Sequence, residues 1–169
     1  MSDRECLKGK NDRIAFIVLV ILMVATLCFI FGNSLKGPEA SLEQSNKAGE
    51  ILRPIIDPDK SMGEEEYSFL IRKAGHFFEY AALGFECALL VFLVCGRISL
   101  CGVSLSAGGC LLAADVDEFI QSFTERGSKV ADVLLDFGGA VSGIVIGFAV
   151  AYAVRYLRIR LKKRKEKHS

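Results

Sequence analysis

The sequence contains no C-x-x-C pair, although six cysteines occur among its 169 residues. Zinc ribbons and small disulfide-rich domains place their cysteines at short, regular spacings. Most of the cysteines here lie within or beside apolar runs; they are Cys6, Cys28, Cys87, Cys95, Cys101 and Cys110. We therefore expect small apolar side chains rather than a disulfide framework or a structural zinc site.

The sequence also has no G-x-S-x-G motif, no internal repeat and no low-complexity segment apart from a basic C-terminal tail. Without a G-x-S-x-G motif, the sequence gives no strong signal for an activated serine nucleophile. The absence of an internal repeat excludes solenoids and other repeat arrays. The length suits one domain.

Charge is missing from a long stretch near the N-terminus, where residues 14–31 contain no Asp, Glu, Lys or Arg. Basic residues precede this run, as they do in a cleavable signal peptide. A signal peptide, however, has an apolar core of about 7–15 residues that ends at small residues. This run is longer and ends in Phe-Ile-Phe-Gly-Asn, so we expect an uncleaved transmembrane helix.

Hydrophobic residues make up 51% of the chain, and the mean hydropathy is +0.37. A membrane-spanning helix needs about 20 mostly apolar residues. Four runs approach that length, the third being diluted by serine and glycine; they lie at about 14–31, 74–95, 98–116 and 133–154. The sequence therefore predicts an all-α membrane protein, a four-transmembrane-helix bundle occupying residues 14–154.

The distribution of Lys and Arg predicts the orientation of these spans. The tail, residues 155–169, carries eight Lys or Arg against the single Glu166, and the N-terminal residues 1–13 are basic as well. Cytoplasmic segments of membrane proteins are enriched in Lys and Arg. We expect both termini to be cytoplasmic, and the basic tail to face anionic lipid headgroups rather than nucleic acid.

The first external loop, residues 32–71, is too long for a bare connection. Ser41-x-x-Gln44 and Ser61-x-x-Glu64 both have the pattern of a helix capping box. Pro54 and the turn Asp57-Pro58-Asp59 separate them. We therefore expect a short surface helix at about 41–52, and a second helix that starts near Ser61 and continues into the second span.

Ionisable and polar residues crowd the ends of three spans that this topology places at the outer surface. Charges at mid-bilayer cost roughly 2.5–3.5 kcal/mol each on insertion scales, so they usually have a role. The first group opens span two, the second closes span three and the third leads into span four. The groups are Arg72, Lys73, His76 and Glu79; Asp117, Glu118 and Gln121; and Arg126, Asp132 and Asp136.

Helical periodicity predicts which of these side chains share a face. Arg72, His76 and Glu79 fall within about 60° of one another, because each residue advances by roughly 100°. Asp132 and Asp136 are four residues apart, and their stripe continues to Gly139, Gly143 and Gly147. Glycines at this spacing allow a neighbouring backbone to approach closely, so we expect the stripe to face the interior of the bundle.

Three chemical interpretations of the polar residues remain open. They could form ion pairs that lock the helix ends together. They could form a site in which His76 transfers protons while Asp132 or Asp136 orients it and the basic residues hold an anion. A metal site built on His76-x-x-Glu79 with Asp117, Glu118 and Asp132 is the third interpretation, but the spacing is not diagnostic. We expect neither a metal ligand set nor a cofactor.

At these residues the sequence resembles the VanZ-like family of small bacterial multi-pass membrane proteins. The order and spacing of the motifs fit over about residues 72–147, and Phe31-x-x-Ser34 at the end of span one fits as well. The motifs are Arg72-Lys73-x-x-His76-Phe77-x-Glu79-Tyr80-x-x-Leu83-Gly84, Asp117-Glu118-x-x-Gln121-Ser122-Phe123, Arg126-Gly127 and Asp132-Val133-x-x-Asp136-x-x-Gly139-Ala140-x-x-Gly143.

The resemblance implies a protein of the bacterial cell membrane. The family takes its name from a member associated with resistance to the glycopeptide teicoplanin, which acts on cell-wall precursors outside the membrane. One hypothesis is an envelope protein whose outer polar site binds an envelope component, such as a lipid-linked cell-wall precursor, or a glycopeptide-type antibiotic. The other is a membrane-embedded enzyme acting on such a precursor, with His76 as general acid/base. Membrane lipids are partners under either hypothesis, and the oligomeric state stays open.

Overall fold

The computed structural model describes residues 9–124 and 130–167, and those residues form five α-helices. They are α1 (Lys10–Ser34), α2 (Pro38–Ile56), α3 (Glu64–Cys95), α4 (Leu100–Ser122) and α5 (Val130–Lys167). Helices α1, α3, α4 and α5 are each long and apolar enough to cross a membrane. The predicted four-helix membrane bundle with a surface helix in the first connection is thereby confirmed.

Helix α3 lies at the centre of the bundle and contacts each of the other four helices. Its closest neighbour is α5, which runs parallel to it. Three glycines of α5 leave no room for a Cβ against the backbone of α3, since an added carbon would overlap a carbonyl oxygen or backbone atom there. They are Gly139 against Phe77, Gly143 against Ala81 and Gly147 against Phe85. The predicted inward glycine stripe is confirmed.

The connection between α3 and α4 is a tight turn. Helix α3 ends at Cys95 and is followed by Gly96, whose φ of 68° lies in the left-handed region that favours glycine. Helix α4 begins after Ser99, whose side-chain oxygen accepts a hydrogen bond of 3.1 Å from the backbone nitrogen of Gly102. These two residues allow α3 and α4 to pack as an antiparallel hairpin.

The predicted bounds of the surface helix were wrong at both ends. Helix α2 begins at Pro38. The N–H groups of a first helical turn have no partner within the helix, so proline, which lacks this group, loses no hydrogen bond there, and its fixed φ suits a helix start. Ser41 therefore lies inside the helix rather than at its cap. Pro54 does not break the helix: it lies inside the last turn of α2, although proline cannot donate an i→i−4 hydrogen bond.

Ser61 does not cap α3, because Gly63 occupies the cap position. The backbone nitrogen and the hydroxyl of Ser61 instead donate to the carboxylate of Asp57, over 2.8 and 2.9 Å. Burial raises the pKa of Asp57, but the hydrogen bonds from Ser61 and Met62 and the charge of Arg53 outweigh it, so the net pKa is below the ordinary value. An ionised Asp57 thus organises the connection between α2 and α3.

Helix α2 rests on the first turns of α3. The hydroxyl of Tyr67 donates to the carbonyl oxygen of Gly49 over 3.0 Å. Arg53 lies 4.8 Å above the ring of the same tyrosine and donates to Glu64 over 2.6 Å. From Glu64, α3 continues unbroken through Gly75 into the second span, as predicted. Helix α2 is thereby fixed beside the charged part of α3.

Candidate functional site

The charged residues predicted from the sequence meet at one end of the bundle. We call this the polar end, and define it by Asn33–Ser34 of α1, Arg72–Glu79 of α3, Asp117–Gln121 of α4 and Asp132–Asp136 of α5. Helix α4 continues to Ser122, so its polar residues are helical rather than part of a loop. Arg126, the remaining predicted member, lies outside the described residues.

His76 stands between two buried aspartates contributed by different helices. Its Nδ1 lies 3.9 Å from Oδ2 of Asp117 on α4 and 3.7 Å from Oδ1 of Asp136 on α5. The exposed fractions of these aspartates are 0% and 1%. A histidine beside two carboxylates shielded from water is suited to holding a positive charge, moving a proton or sharing a bound cation.

Asp117 is held in place by two polar side chains. Ser34 donates its hydroxyl to Oδ1 over 2.5 Å, and Gln121 donates its amide nitrogen to Oδ2 over 2.9 Å. Gln121 lies one turn after Asp117 on α4. Ser34 ends α1, so this group ties α1 to α4 and fixes the orientation of the carboxylate.

Asp136 has a different environment, because neither of its carboxylate oxygens accepts a hydrogen bond from a described residue. Its position is set by the backbone, since the next turn of α5 brings Gly139 against Phe77 of α3. The close packing of α3 and α5 therefore carries Asp136 to His76. A buried carboxylate without a hydrogen-bond partner is costly, and such groups usually have a functional explanation.

Asp132, one turn earlier on α5, forms an ion pair with Lys73. Both side chains of the pair are about 20% exposed. This pair is an ionic lock between α3 and α5 of the type that the first interpretation describes. Asp132 and Asp136 share a helix face but have separate partners, and among the two it is Asp136 that lies against His76.

Glu79 belongs to a chain of hydrogen bonds that links three helices. Its Oε1 accepts from Asn33 of α1 over 3.0 Å. Lys36 donates to Asn33 over 2.8 Å and to Gln44 of α2 over 2.7 Å. Sequence reasoning missed the roles of Asn33, Lys36 and Gln44. Asn33 could have been recognised as an amide directly after the charge-free run and beside Ser34.

A cleft of about 100 Å³ opens between α2 and the polar end. Arg72, His76 and Glu79 line its α3 wall, while Gln44 and Asn33 contribute from α2 and α1. The three α3 residues are those that helical periodicity placed on one face. The polar end therefore combines a buried set of carboxylates with a cleft that reaches His76 from outside the bundle.

Arg72 makes no ion pair with any carboxylate that the structure describes. Its guanidinium lies 5.8 Å from the ring centre of Phe69, and the side chain is half-buried. Glu118 is 3% exposed, so it adds a third buried carboxylate to the polar end. Glu86 lies deeper in the bundle, where Thr26 donates to it over 3.0 Å, and it takes no part in the cleft.

The chain matches the VanZ/LLP1 family over residues 16–152, which is most of its length. The match begins within α1 and ends within α5, and so includes all of the polar end. No curated protein and no solved structure matches the chain. The motifs that carried the resemblance, including Ser34, His76, Asp117 and Asp136, come together in the fold. This chain belongs to the VanZ/LLP1 family.

Proposed function

We propose that this chain is an integral membrane protein of the bacterial cell envelope whose outward-facing polar end binds an envelope component or a glycopeptide-type antibiotic. The observation that carries the proposal is the position of Arg72 in the cleft beside His76, where it makes no ion pair with a described carboxylate although Glu79 lines the same cleft. A guanidinium in such a position can form paired hydrogen bonds with a carboxylate or phosphate. A contribution to teicoplanin-type resistance would follow if the ligand is the antibiotic or its target.

The size of the cleft indicates which part of a ligand it receives. The cleft has a volume of about 100 Å³, which is small beside the roughly 300–1,000 Å³ of pockets that bury a drug-sized ligand. We infer that a phosphate or carboxylate enters, while the rest of a lipid-linked precursor or antibiotic stays in the bilayer or at its surface. Gln44 and Asn33 supply further hydrogen-bonding groups at the rim.

The direct test compares two arginines at opposite ends of the bundle. Arg72→Gln removes the guanidinium from the cleft, whereas Arg97→Gln removes one from the turn between α3 and α4. Hydrogen bonds to charged groups contribute about 1.5–3 kcal/mol, so we expect Arg72→Gln to raise Kd by roughly 10–150-fold. The measurement is binding of a lipid-linked cell-wall precursor, and separately of teicoplanin, to the protein in lipid nanodiscs.

The cellular readout is teicoplanin susceptibility, with the abundance of each variant measured beside it. Arg72→Gln should change susceptibility at normal abundance and Arg97→Gln should not. If both ligands bind Arg72→Gln as tightly as the parent protein, the anion-binding role of the cleft is wrong. Equal losses in the two variants would indicate a general charge effect and would also contradict it.

The placement of His76 against Asp136 supports a second candidate function, a membrane-embedded enzyme acting on a lipid-linked precursor. His76 would serve as general acid/base, and Asp136 would orient it. Glutamine keeps hydrogen-bonding capacity but cannot change protonation state, so His76→Gln should lose about 10²–10⁴-fold in rate. Asp136→Asn should lose rate similarly, because the orienting charge is removed while the shape remains.

Mass spectrometry of the precursor after incubation with the protein separates the two functions. The binding function predicts that the precursor is recovered unchanged, whereas the enzyme predicts a product that His76→Gln fails to form. Full cellular function of His76→Gln at normal abundance would contradict the enzyme. Loss of function in both His76→Gln and Asp136→Asn at normal abundance would argue against a purely structural role for the polar end.

A further inference from the structure

The carboxylate of Asp136 is the least compensated group of the polar end. Its exposed fraction is 1%, and neither oxygen accepts a hydrogen bond from a described residue. No described lysine or arginine forms an ion pair with it. Removing an ionised carboxylate from water without a partner is strongly unfavourable. A proton, either on Asp136 itself or on His76 at 3.7 Å, or a bound cation must therefore offset its charge.

The neighbours of Asp136 are suited to the second alternative. One ligand atom from each of His76, Asp117 and Asp136 lies within 4.8 Å of the other two. The nitrogen of His76 is 3.9 Å from the Asp117 oxygen and 3.7 Å from the Asp136 oxygen. Ligand atoms placed roughly 2.1 Å from a tetrahedral metal lie about 3.4 Å apart, so small side-chain movements would complete the site.

We propose that His76, Asp117 and Asp136 bind a divalent metal ion. The three residues come from α3, α4 and α5, so the ion would join three helices at the polar end. The proposal goes beyond the binding function above and does not depend on it, because a metal can bind here whether or not an anion enters the cleft.

The ligand types favour a first-row transition metal. Imidazole suits Zn²⁺ and Fe²⁺, and carboxylates suit Mn²⁺, whereas Ca²⁺ and Mg²⁺ are usually held by oxygen atoms alone. Three protein ligands leave at least one coordination position open. Because His76 also lines the cleft, that position can be reached from it. Zn²⁺ and Mn²⁺ are therefore the probes of choice.

The surroundings of Asp117 resemble those of a metal-binding carboxylate. Ligating side chains are usually oriented by hydrogen bonds from an outer layer of residues. Ser34 and Gln121 provide such bonds, one to each oxygen of Asp117. The oxygens retain further lone pairs, so these hydrogen bonds are compatible with coordination.

The proposed ligands differ from those that sequence spacing offered. Among the described residues, neither Glu79 nor Asp132 belongs to the group whose ligand atoms lie within 4.8 Å of one another. Asn33 donates to Glu79 instead, and Lys73 pairs with Asp132. Asp136 takes their place, because α5 runs beside α3 at this depth. The proposal thus departs from the sequence-based expectation of no metal ligand set, for a reason that only the packing provides.

The test uses the full chain, purified in detergent without a polyhistidine tag and stripped with a chelator. Titration with Zn²⁺ or Mn²⁺ should show one tight site per chain. His76→Ala and Asp136→Asn should each raise Kd by at least about 100-fold, beyond the roughly 10–100-fold that loss of an outer hydrogen-bond partner costs. Absence of binding to the parent protein would overturn the proposal and would indicate that a proton on Asp136 or on His76 offsets the charge instead.

Two matched variants control for charge and for adventitious sites. Glu86→Gln removes another carboxylate from α3 outside the cluster, and His168→Ala removes the second of the two histidines. Both should bind the metal as the parent protein does. Loss of binding in His168→Ala, or equal binding in His76→Ala and the parent protein, would place the ion elsewhere and overturn the proposal.

Two further measurements guard against variants that fail to fold. Asp136→Asn loses no described hydrogen bond, so its Tm without metal should equal or exceed that of the parent, and added Zn²⁺ should raise only the parent's Tm. Pulsed EPR of Mn²⁺ bound to the parent protein should detect one coordinated imidazole nitrogen. A Mn²⁺ signal without nitrogen coupling would contradict the site without any substitution.

Discussion

Gly143→Ala should destabilise the bundle, because α3 and α5 touch backbone to backbone at this residue. A Cβ at Gly143 would overlap the carbonyl oxygen of Ala81. It would also lie 2.8 Å from the carbonyl carbon of Ala81 and 2.9 Å from the backbone nitrogen of Phe85. Favourable contact between carbon atoms needs about 3.5–4.0 Å. The two helices must therefore separate locally by roughly 1 Å or more.

The size of the effect follows from two opposing terms. Overpacking a well-filled interior costs typically about 1–3 kcal/mol, and the upper end applies here because the atoms in the way belong to the backbone. Alanine is the better helix former by up to about 1 kcal/mol. The expected net loss is about 2 kcal/mol in the free energy of unfolding. Gly143→Leu should cost more, since three further carbons need space.

Gly138→Ala is the matched control, because it adds the same methyl group to the same helix where no described residue of another helix lies within 4 Å. It should be neutral or stabilising by up to about 1 kcal/mol. Unfolding is measured by circular dichroism during SDS titration in mixed micelles. If Gly143→Ala is as stable as Gly138→Ala, the close approach of α3 and α5 is wrong.

Two further predictions concern the first connection and the orientation of the chain. The lowered pKa of Asp57 means that its contribution to stability is present above its unfolded pKa of about 3.9 and is lost as pH falls through the folded pKa. The Tm of the protein should therefore fall below about pH 4, and Asp57→Asn should make Tm depend less on pH in that range. The same fall of Tm in Asp57→Asn as in the parent protein would contradict the role of Asp57. In a background without native cysteines, an impermeant thiol reagent added outside cells should label a cysteine at Asp59 but not one at Lys165. Labelling of both positions, or of neither, would contradict the four-span arrangement with cytoplasmic termini.

The number and packing face of the helices could be predicted from the sequence, because both depend on local patterns. Apolar runs of membrane length predict spans whatever their partners are. Glycines four residues apart likewise predict the close approach of a neighbouring helix from local sequence alone, and Gly143 does face α3. The grouping of Arg72, His76 and Glu79 likewise needed only the angular period of one helix.

The capping predictions failed because several local signals competed for the same segment. Ser41 and Ser61 both satisfy the capping-box pattern, but Pro38 and Gly63 provide starts nearby. Asp57 then draws Ser61 into its own hydrogen bonds. A short motif indicates which contacts a residue can make, and which of them form depends on the neighbouring residues that compete for them.

Partner choice within the polar end could not be predicted, because it depends on the register between helices. Asp132 and Asp136 lie on one face and have the same chemistry, so the sequence treats them as alternatives for orienting His76. In the structure Asp132 forms an ion pair with Lys73, and Asp136 lies against His76. One helical turn on α5 thus separates a structural ion pair from a candidate ligand.

The same register connects the glycine stripe to the candidate site. Helices α3 and α5 run parallel, and their close contacts keep a constant offset from Gly139 against Phe77 to Gly147 against Phe85. Continued by one turn towards the polar end, that offset places the backbone of Asp136 level with Ala74, about half a turn from His76. From there the Asp136 carboxylate comes within 3.7 Å of Nδ1 of His76. Because Asp136 has no described hydrogen bond of its own, the backbone contact is what fixes its carboxylate. The glycines therefore set the helix separation on which the geometry of the site depends.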